Sequence, residues 1–323
     1  MSNAPQLIIE FPHVEVPDAE AARSVVAAVR ATAAVTAARS VPLLLPEAPD
    51  GGGPGLDPGI LAGILTADRR GQGASGSGTV IRSAGAPPLL IVTARTSRNA
   101  PFNLARRIQS LNRITGGLVG VFLRADGLDP VTSAAAPSPG EALDRSRLLG
   151  EYVEVLRRLW ASFPEEALIG HREAGRFADP RSIVPAAFAG EVYAVAGALN
   201  VPLPSAHRTL LLADASAAGS AVDGVIRAAS SSTGHTLDPL DSAGAPAYRT
   251  VTWIPGSAGA VSGSDGVVAG TADDALRALR NGPRKHVLLR VRAEAGQLPT
   301  LLDALFAVQP DHHESREVQA HAG

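Results

Sequence analysis

The chain has 323 residues, 45% of them hydrophobic and 4% aromatic, which is enough apolar material for one large core or two smaller ones. Its 29 basic and 31 acidic side chains give a net charge of −2, leaving no electrostatic footprint for nucleic acid or an acidic membrane surface. There is no cysteine, which excludes disulfides, thiolate metal sites, iron–sulfur clusters and cysteine nucleophiles, and Lys285 is the one lysine available for Schiff-base chemistry.

Short apolar runs alternate with helical patterns from end to end. No basic segment precedes an apolar stretch in residues 1–6, so a cytoplasmic protein without a secretory leader is expected. Leu7 to Phe11 reads as a strand and Val25 to Val35 as a helix. The Ala/Val stretch from Val25 to Ala38 is interrupted by Arg30 and two threonines, so no membrane span is expected there. Leu43 to Leu45 is a second strand, and Pro58 to Leu65 a short helix with Asp57 as N-cap. Leu89 to Val92 reads as a buried parallel strand. The next helix opens at Pro101, runs along Phe102, Ala105, Ile108 and Leu111, and stops at Gly116-Gly117. Val119 to Leu123 is a fourth strand. The strongest helix spans Arg145 to Ser162, with Leu149, Tyr152, Val153, Leu156, Leu159 and Trp160 on one face.

Residues 163–207 lose this rhythm and read as an insertion on one rim. Leu210 to Leu212 then gives a strand, Ala217 to Ala229 a helix, His235 to Leu240 a weak strand and Thr250 to Ile254 another strand. Thr271, followed by Asp273 and Asp274, starts a helix from Ala272 to Arg280. Strand Val287 to Val291 and helix Leu298 to Phe306 close the pattern, before a polar tail over 311–323. Eight strand candidates, mostly separated by helices, predict an α/β fold with a parallel sheet. That number favours a single TIM-type (β/α)8 barrel over 1–310, with a rim insertion and some shortened βα units, over an open sheet.

Four blocks carry a resemblance. Pro101 to Gly117 is similar to the Pro-x-x-x-Ala-Arg…Leu-Asp…Ser-Gly-Gly-Arg stretch of bacterial-luciferase-like flavin monooxygenases. Glu151 to Trp160, with Gly175-Arg176-Phe177-Ala178-Asp179-Pro180 and Gly190 to Leu199, resembles the branch that holds the nitrilotriacetate and dibenzothiophene-sulfone monooxygenases. Ala213 to Gly219 is similar to its Gln-Ala-Gly-x-Ser-x-x-Gly turn, and Ala269 to Ala275 to its Gly-Thr-Pro-Glu. The blocks are collinear over most of the chain. The resemblance implies a TIM barrel, reduced FMN from a separate flavin reductase, O2 and a small organic substrate, in a homodimer or hetero-oligomer; coenzyme F420, or no flavin, is the alternative. The chain departs from the family pattern at Leu118, Val121-Phe122, Ser97-Arg98-Asn99, Arg145-Ser146, Leu212 and Asp214, which are positions that carry the chemistry in relatives.

The residues supply candidates on the same rim. Ser216 and Gly219, between a strand and a helix, either hold the phosphate of FMN or cap the helix, and Asp214 adds a negative charge beside them. Thr96, Ser97 and Asn99 follow the third strand, at the end where barrel active sites form; Asn99 alternatively caps the helix at Pro101. Arg98 and Arg124 either bind a phosphate or carboxylate or serve solubility. His13 is the best placed histidine for proton transfer, with a structural role as the alternative. Glu47 and Asp57 are either paired acid–base carboxylates or backbone acceptors. Gly71 to Gly76 matches G-x-G-x-x-G but precedes a strand-like segment, so it reads as a loop. His312, His313 and His321 either bind adventitious metal or belong to a solvated tail, and the tail is the expectation. These candidates support a flavin monooxygenase, with a non-catalytic or repurposed member of the family as the second reading.

Overall fold

The computed structural model describes residues 6–48, 53–71, 89–135, 144–202, 208–214, 222–226, 247–256, 267–281 and 286–307. Its centre is a closed parallel barrel of eight strands: β1 (Leu7–Glu10), β2 (Leu43–Leu45), β3 (Leu90–Arg95), β4 (Val119–Arg124), β9 (Leu211–Asp214), β10 (Gly224–Ile226), β11 (Ala247–Pro255) and β13 (Val287–Val291). β10 closes the ring on β11 through Val225↔Ala247 and Ile226↔Tyr248, and β13 returns to β1 through Leu7↔Val287. From Thr252 onward, β11 is paired instead with the outlying strand β12 (Val267–Gly270).

The strands look uniformly apolar in sequence because both faces are buried. Ile8, Leu44, Ile91, Phe122, Leu212, Ile226, Tyr248 and Leu288 form one cluster, the lumen of the barrel. Their immediate neighbours Ile9, Leu43, Leu45, Val92, Val121, Leu211, Val251 and Leu289 belong to a second cluster that receives the helices. The strand period of two thus sorts each run into a lumen set and a helix-facing set.

The helices follow local signals. α1 (Ala19–Ala38) starts where the Asp18 carboxylate accepts the amides of Glu20 and Ala21 at 2.9 and 2.8 Å. Among the described residues it is the one helix long and apolar enough to cross a bilayer, and here it buries Val29 and Thr32 in the core. Asp57 caps α2 (Pro58–Gly71) through the amides of Gly59 and Ile60, so the helix begins as expected and runs one to two turns longer. α3 (Pro101–Thr115) ends on Gly116, whose φ of 71° is the left-handed region glycine favours. The buried stripe of α3 is Leu104, Ala105, Ile108 and Asn112, with Phe102 and Leu111 at its margins. α4 (Pro130–Ala135) is one short turn capped by Asp129. α5 (Arg145–Ala161) buries the whole expected face. α6 (Ala272–Asn281) opens on a reciprocal pair, in which the Thr271 amide donates to Asp274 and the Asp274 amide to the Thr271 hydroxyl. α7 (Leu298–Ala307) packs on α1.

Seven of the eight expected strands are present, and the eighth place corrects the expectation. The predicted helix over 217–229 contains β10 instead. Val225 and Ile226 are β-branched and lie between two parallel neighbours, and buried Gly224 has poor helix propensity. The predicted strand 235–240, residues 72–76 of the glycine-rich motif, Lys285 and the 311–323 tail lie outside the described residues.

Residues 163–199 add no barrel strand. They form two small antiparallel hairpins, β5 (Leu168–His171) with β6 (Arg176–Ala178), and β7 (Phe188–Ala189) with β8 (Ala194–Val195). The second is seated on α5 by Glu151, whose carboxylate accepts the backbone amides of Glu191, Val192 and Tyr193 at 2.8–3.0 Å. Gly190 is required there, since a Cβ would collide with the same carboxylate. Glu151→Ala is expected to cost about 2 kcal/mol, from three orphaned amides, and to speed proteolysis over residues 188–195. Thermal denaturation with limited proteolysis checks both, and an unchanged melting temperature contradicts it.

Candidate functional site

In a parallel barrel the loops that follow the strands gather at one mouth, where function concentrates. The loops after β3 and β4 are fastened together there. The Thr96 amide donates to Arg124 O at 3.0 Å, and the Thr96 hydroxyl donates to Gly127 O at 2.7 Å. The Asp126 carboxylate accepts the Ser97 amide at 3.0 Å and the Nε of Arg95. Burial pushes the Asp126 carboxyl up, but the Ser97 amide and the Arg95 guanidinium outweigh it, so the group is held below the usual carboxylate range.

Asn99 sits one turn further on. Its amide donates to Arg95 O at 2.9 Å, its side-chain oxygen accepts Arg107 at 2.8 Å, and its carbonyl accepts the Tyr152 hydroxyl at 2.6 Å. The N-cap of α3 is Ala100, so Asn99 is not a capping residue; it braces the loop against α3 and α5. Arg107 in turn pairs with Asp57 at 3.2 Å. Burial drives the Tyr152 hydroxyl well above its ordinary pKa, so it acts as a neutral donor.

Glu47 lies two residues beyond β2 and accepts the Arg95 amide at 2.8 Å, with Arg98 3.9 Å away. Burial raises its carboxyl, against the lowering effect of the Arg95 amide and three arginines. Glu47 and Asp57 thus act as acceptors at separate places and do not form an acid–base pair. Arg98 donates to Ala48 O at 2.9 Å, in the turn that follows β3.

His13 lies three residues past β1, against the 53–55 segment. Its Nε2 is buried and has no hydrogen-bond partner, and a Cβ on Gly55 would come within 2.8 Å of its ring. Ser216 and Gly219 lie outside the described residues. Arg124 shares its parity with lumen-facing Phe122 and ends β4 exposed, with no ion-pair partner among the described residues. Asp214, next to it across β4 and β9, accepts the Ala125 amide at 2.9 Å.

Three further residues matter without any signal in the sequence. Thr93 follows Ile91 on the lumen side of β3, is 4% exposed, and its hydroxyl has no partner. Arg95 and Asp126 form the ion pair that shapes the mouth, but 31 residues separate them and no spacing rule links them. The site therefore has an apolar floor, an unpaired hydroxyl above it and an unpaired guanidinium at the lip. That donor set suits a polar, anionic ring system that enters from the mouth.

No protein-family model matches the chain. It is 31% identical over 138 residues to N-acetyl-S-(2-succino)cysteine monooxygenase of Bacillus subtilis (strain 168), covering 41% of this chain and 31% of that protein. It is likewise 31% identical over 132 residues to nitrilotriacetate monooxygenase component A of Aminobacter aminovorans, covering 40% of this chain and 29% of that protein. The chain thus matches about a third of the length of these relatives. A long-chain alkane monooxygenase superposes with a TM-score of 0.64 at 13% identity, covering 93% of this chain and 89% of that structure. An EDTA monooxygenase from Chelativorans sp. BNC1 superposes with a TM-score of 0.62 at 16% identity, covering 94% and 92%. The structural matches extend the barrel over nearly the whole chain. The sequence matches add a likeness to these monooxygenases, over about 40% of this chain, that a shared barrel alone does not supply.

Proposed function

We propose that the chain binds reduced FMN, delivered by a separate flavin reductase, at the barrel mouth and oxygenates a small organic substrate with O2. Lumen-facing Thr93 and Arg124, without protein partners among the described residues, above an apolar floor, are the observation that carries this reading. Bound reduced FMN supplies the electrons that activate O2. Arg124 holds an anionic group of the cofactor or substrate, and Thr93 offers a hydroxyl to a ring edge. Ser216 and Gly219 hold the phosphate. Phe122, Leu212 and Tyr248 keep water out from below. His13 Nε2 is the proton-handling atom, while Thr96, Ser97 and Asn99, whose polar groups are engaged within the protein, position the loops that line the pocket.

Titration of FMN by fluorescence quenching, followed by reductase-coupled O2 consumption, tests the proposal. Saturable binding with substrate-dependent O2 uptake is expected. Arg124→Ala should weaken binding about tenfold, the effect of losing one charge-assisted contact. A chain that binds neither FMN nor coenzyme F420 contradicts the reading. A second reading, a flavin-binding or repurposed member without turnover, is favoured by the Arg95–Asp126 pair, which occupies charges at the mouth that a ligand would otherwise engage. Binding without O2 consumption, with any reductase, distinguishes it.

A further inference from the structure

A second concave site lies outside the barrel, along the exposed face of α3. It has a volume of about 760 Å³ and runs from the turn after β3, past α3, to Asn200 and Val201. Three arginines, Arg98, Arg106 and Arg107, line it, and no carboxylate does. Arg107 is anchored through both terminal nitrogens, Nη1 on Asp57 at 3.2 Å and Nη2 on Asn99 at 2.8 Å, and its Nε is buried without a partner. Arg106 is exposed and makes no hydrogen bond or ion pair among the described residues.

The far end of the same groove is apolar. Leu111 and Ile114 line it with Val201, and Ile114 is 53% exposed, unusual for an isoleucine on a helix. At 1.5 Å per residue, Arg107 and Ile114 are about 10 Å apart along the helix axis. The groove therefore presents a cationic head-binding end and an apolar end separated by the length of a short alkyl or aromatic body.

We propose that this groove is a second binding site, separate from the barrel mouth, for a small organic anion that carries a phosphate or carboxylate head on a short apolar body. The guanidinium of Arg106 takes the oxyanion with paired N–H donors, and anchored Arg107 beside it adds positive charge. Leu111, Ile114 and Val201 cover the body. No bond is made or broken there; the site binds and does not catalyse.

Isothermal titration of the full chain with hexyl phosphate, hexanoate and inorganic phosphate tests this. Hexyl phosphate or hexanoate should bind at least about tenfold tighter than inorganic phosphate, because only they reach the apolar end. The better of the two identifies the head group. Arg106→Ala should weaken it about tenfold, Arg106→Lys should restore part of the loss, and Ile114→Ser should weaken hexyl phosphate but not inorganic phosphate. Arg124→Ala, at the mouth, should leave this binding unchanged. Arg106 is exposed and makes no hydrogen bond or ion pair among the described residues, so its variants keep the protein folded, and melting curves verify that. Absent binding of all three probes, or equal binding by wild type and Arg106→Ala, overturns the proposal. So does a concentration-dependent dimer that Arg106→Glu dissociates while no probe binds, since the groove is then an interface between copies. Because the probes contain no flavin, failure here is distinguishable from failure of FMN binding at the mouth.

Discussion

Asp126→Ala is expected to destabilise the protein by about 3 kcal/mol and to abolish FMN binding with it. Arg95 is 8% exposed and Asp126 19%, so removing the carboxylate leaves a guanidinium that water reaches poorly. The same change frees the Ser97 amide, and with it the fastening between the loops after β3 and β4. Chemical denaturation gives the first number and flavin fluorescence the second; an Asp126→Ala protein that binds FMN with wild-type affinity contradicts the role assigned to these loops. The pair also sets a pH signature. Asp126 titrates below the usual carboxylate range in the folded protein, so its contribution is complete at and above that range and is lost as pH falls through the depressed value. Glu47, pushed above the usual carboxylate range by burial, has the opposite sign: its contribution is complete below that range and is lost as pH rises through the folded value. Glu47→Gln should therefore flatten the loss of stability on the rising side and leave the acid limb unchanged. Asp126→Asn should remove the acid limb. Denaturation midpoints between about pH 3 and 7 read both, and a shift of the wrong limb refutes the assignment.

Asp223→Ala carries a comparable cost, about 2–4 kcal/mol, from a different place. Its carboxylate is 12% exposed and ties three parts of the chain together. It pairs with Arg157 of α5 and with Arg208, both at 2.8 Å, and accepts the Leu211 amide at 2.8 Å. Arg208 is 71% exposed, so its share is small, whereas Arg157 is 18% exposed and is left facing the Trp160 ring without its carboxylate. The loss falls where β9 and β10 enter the barrel. Asp223→Ala should therefore melt earlier and expose β9 to hydrogen exchange ahead of β1 to β4. Uniform exchange across the barrel contradicts a local role. Asp223→Asn keeps acceptor geometry and should recover part of the stability.

Particular residues show where sequence and structure part. The alternation of Leu43, Leu44 and Leu45 between helix-facing and lumen clusters cannot be read from three leucines, yet their presence as a buried strand can. Pro101 and Gly116 fixed both ends of α3, because proline's ring and glycine's left-handed freedom act within one turn. The strand Gly224–Ile226, inside a span expected to be helical, shows the limit. An Ala- and Val-rich stretch has weak periodicity, and only the pairing of Val225 with Ala213 on one side and Ala247 on the other settles Gly224–Ile226 as strand. The candidates at the mouth divide the same way. Arg124 and His13 were legible as polar residues after strands, but their roles differ because one is unpaired at the lip and the other covered by the segment at Gly55.

The sequence by itself determined the class of fold, the order of most βα units, the caps of α2, α3 and α6 and the end of the barrel at which polar residues collect. These depend on interactions within a few residues or on hydrophobic period, both of which are written locally. Only the tertiary structure decided which strand closes the barrel, that Asn99 braces a loop instead of capping a helix, and that Arg95 meets Asp126 while Arg124 stays unpaired. Those outcomes depend on which groups the ring brings within a few ångströms of one another, 31 residues apart for Arg95 and Asp126 and 53 for Asn99 and Tyr152, where burial and charge pairing outweigh local preference.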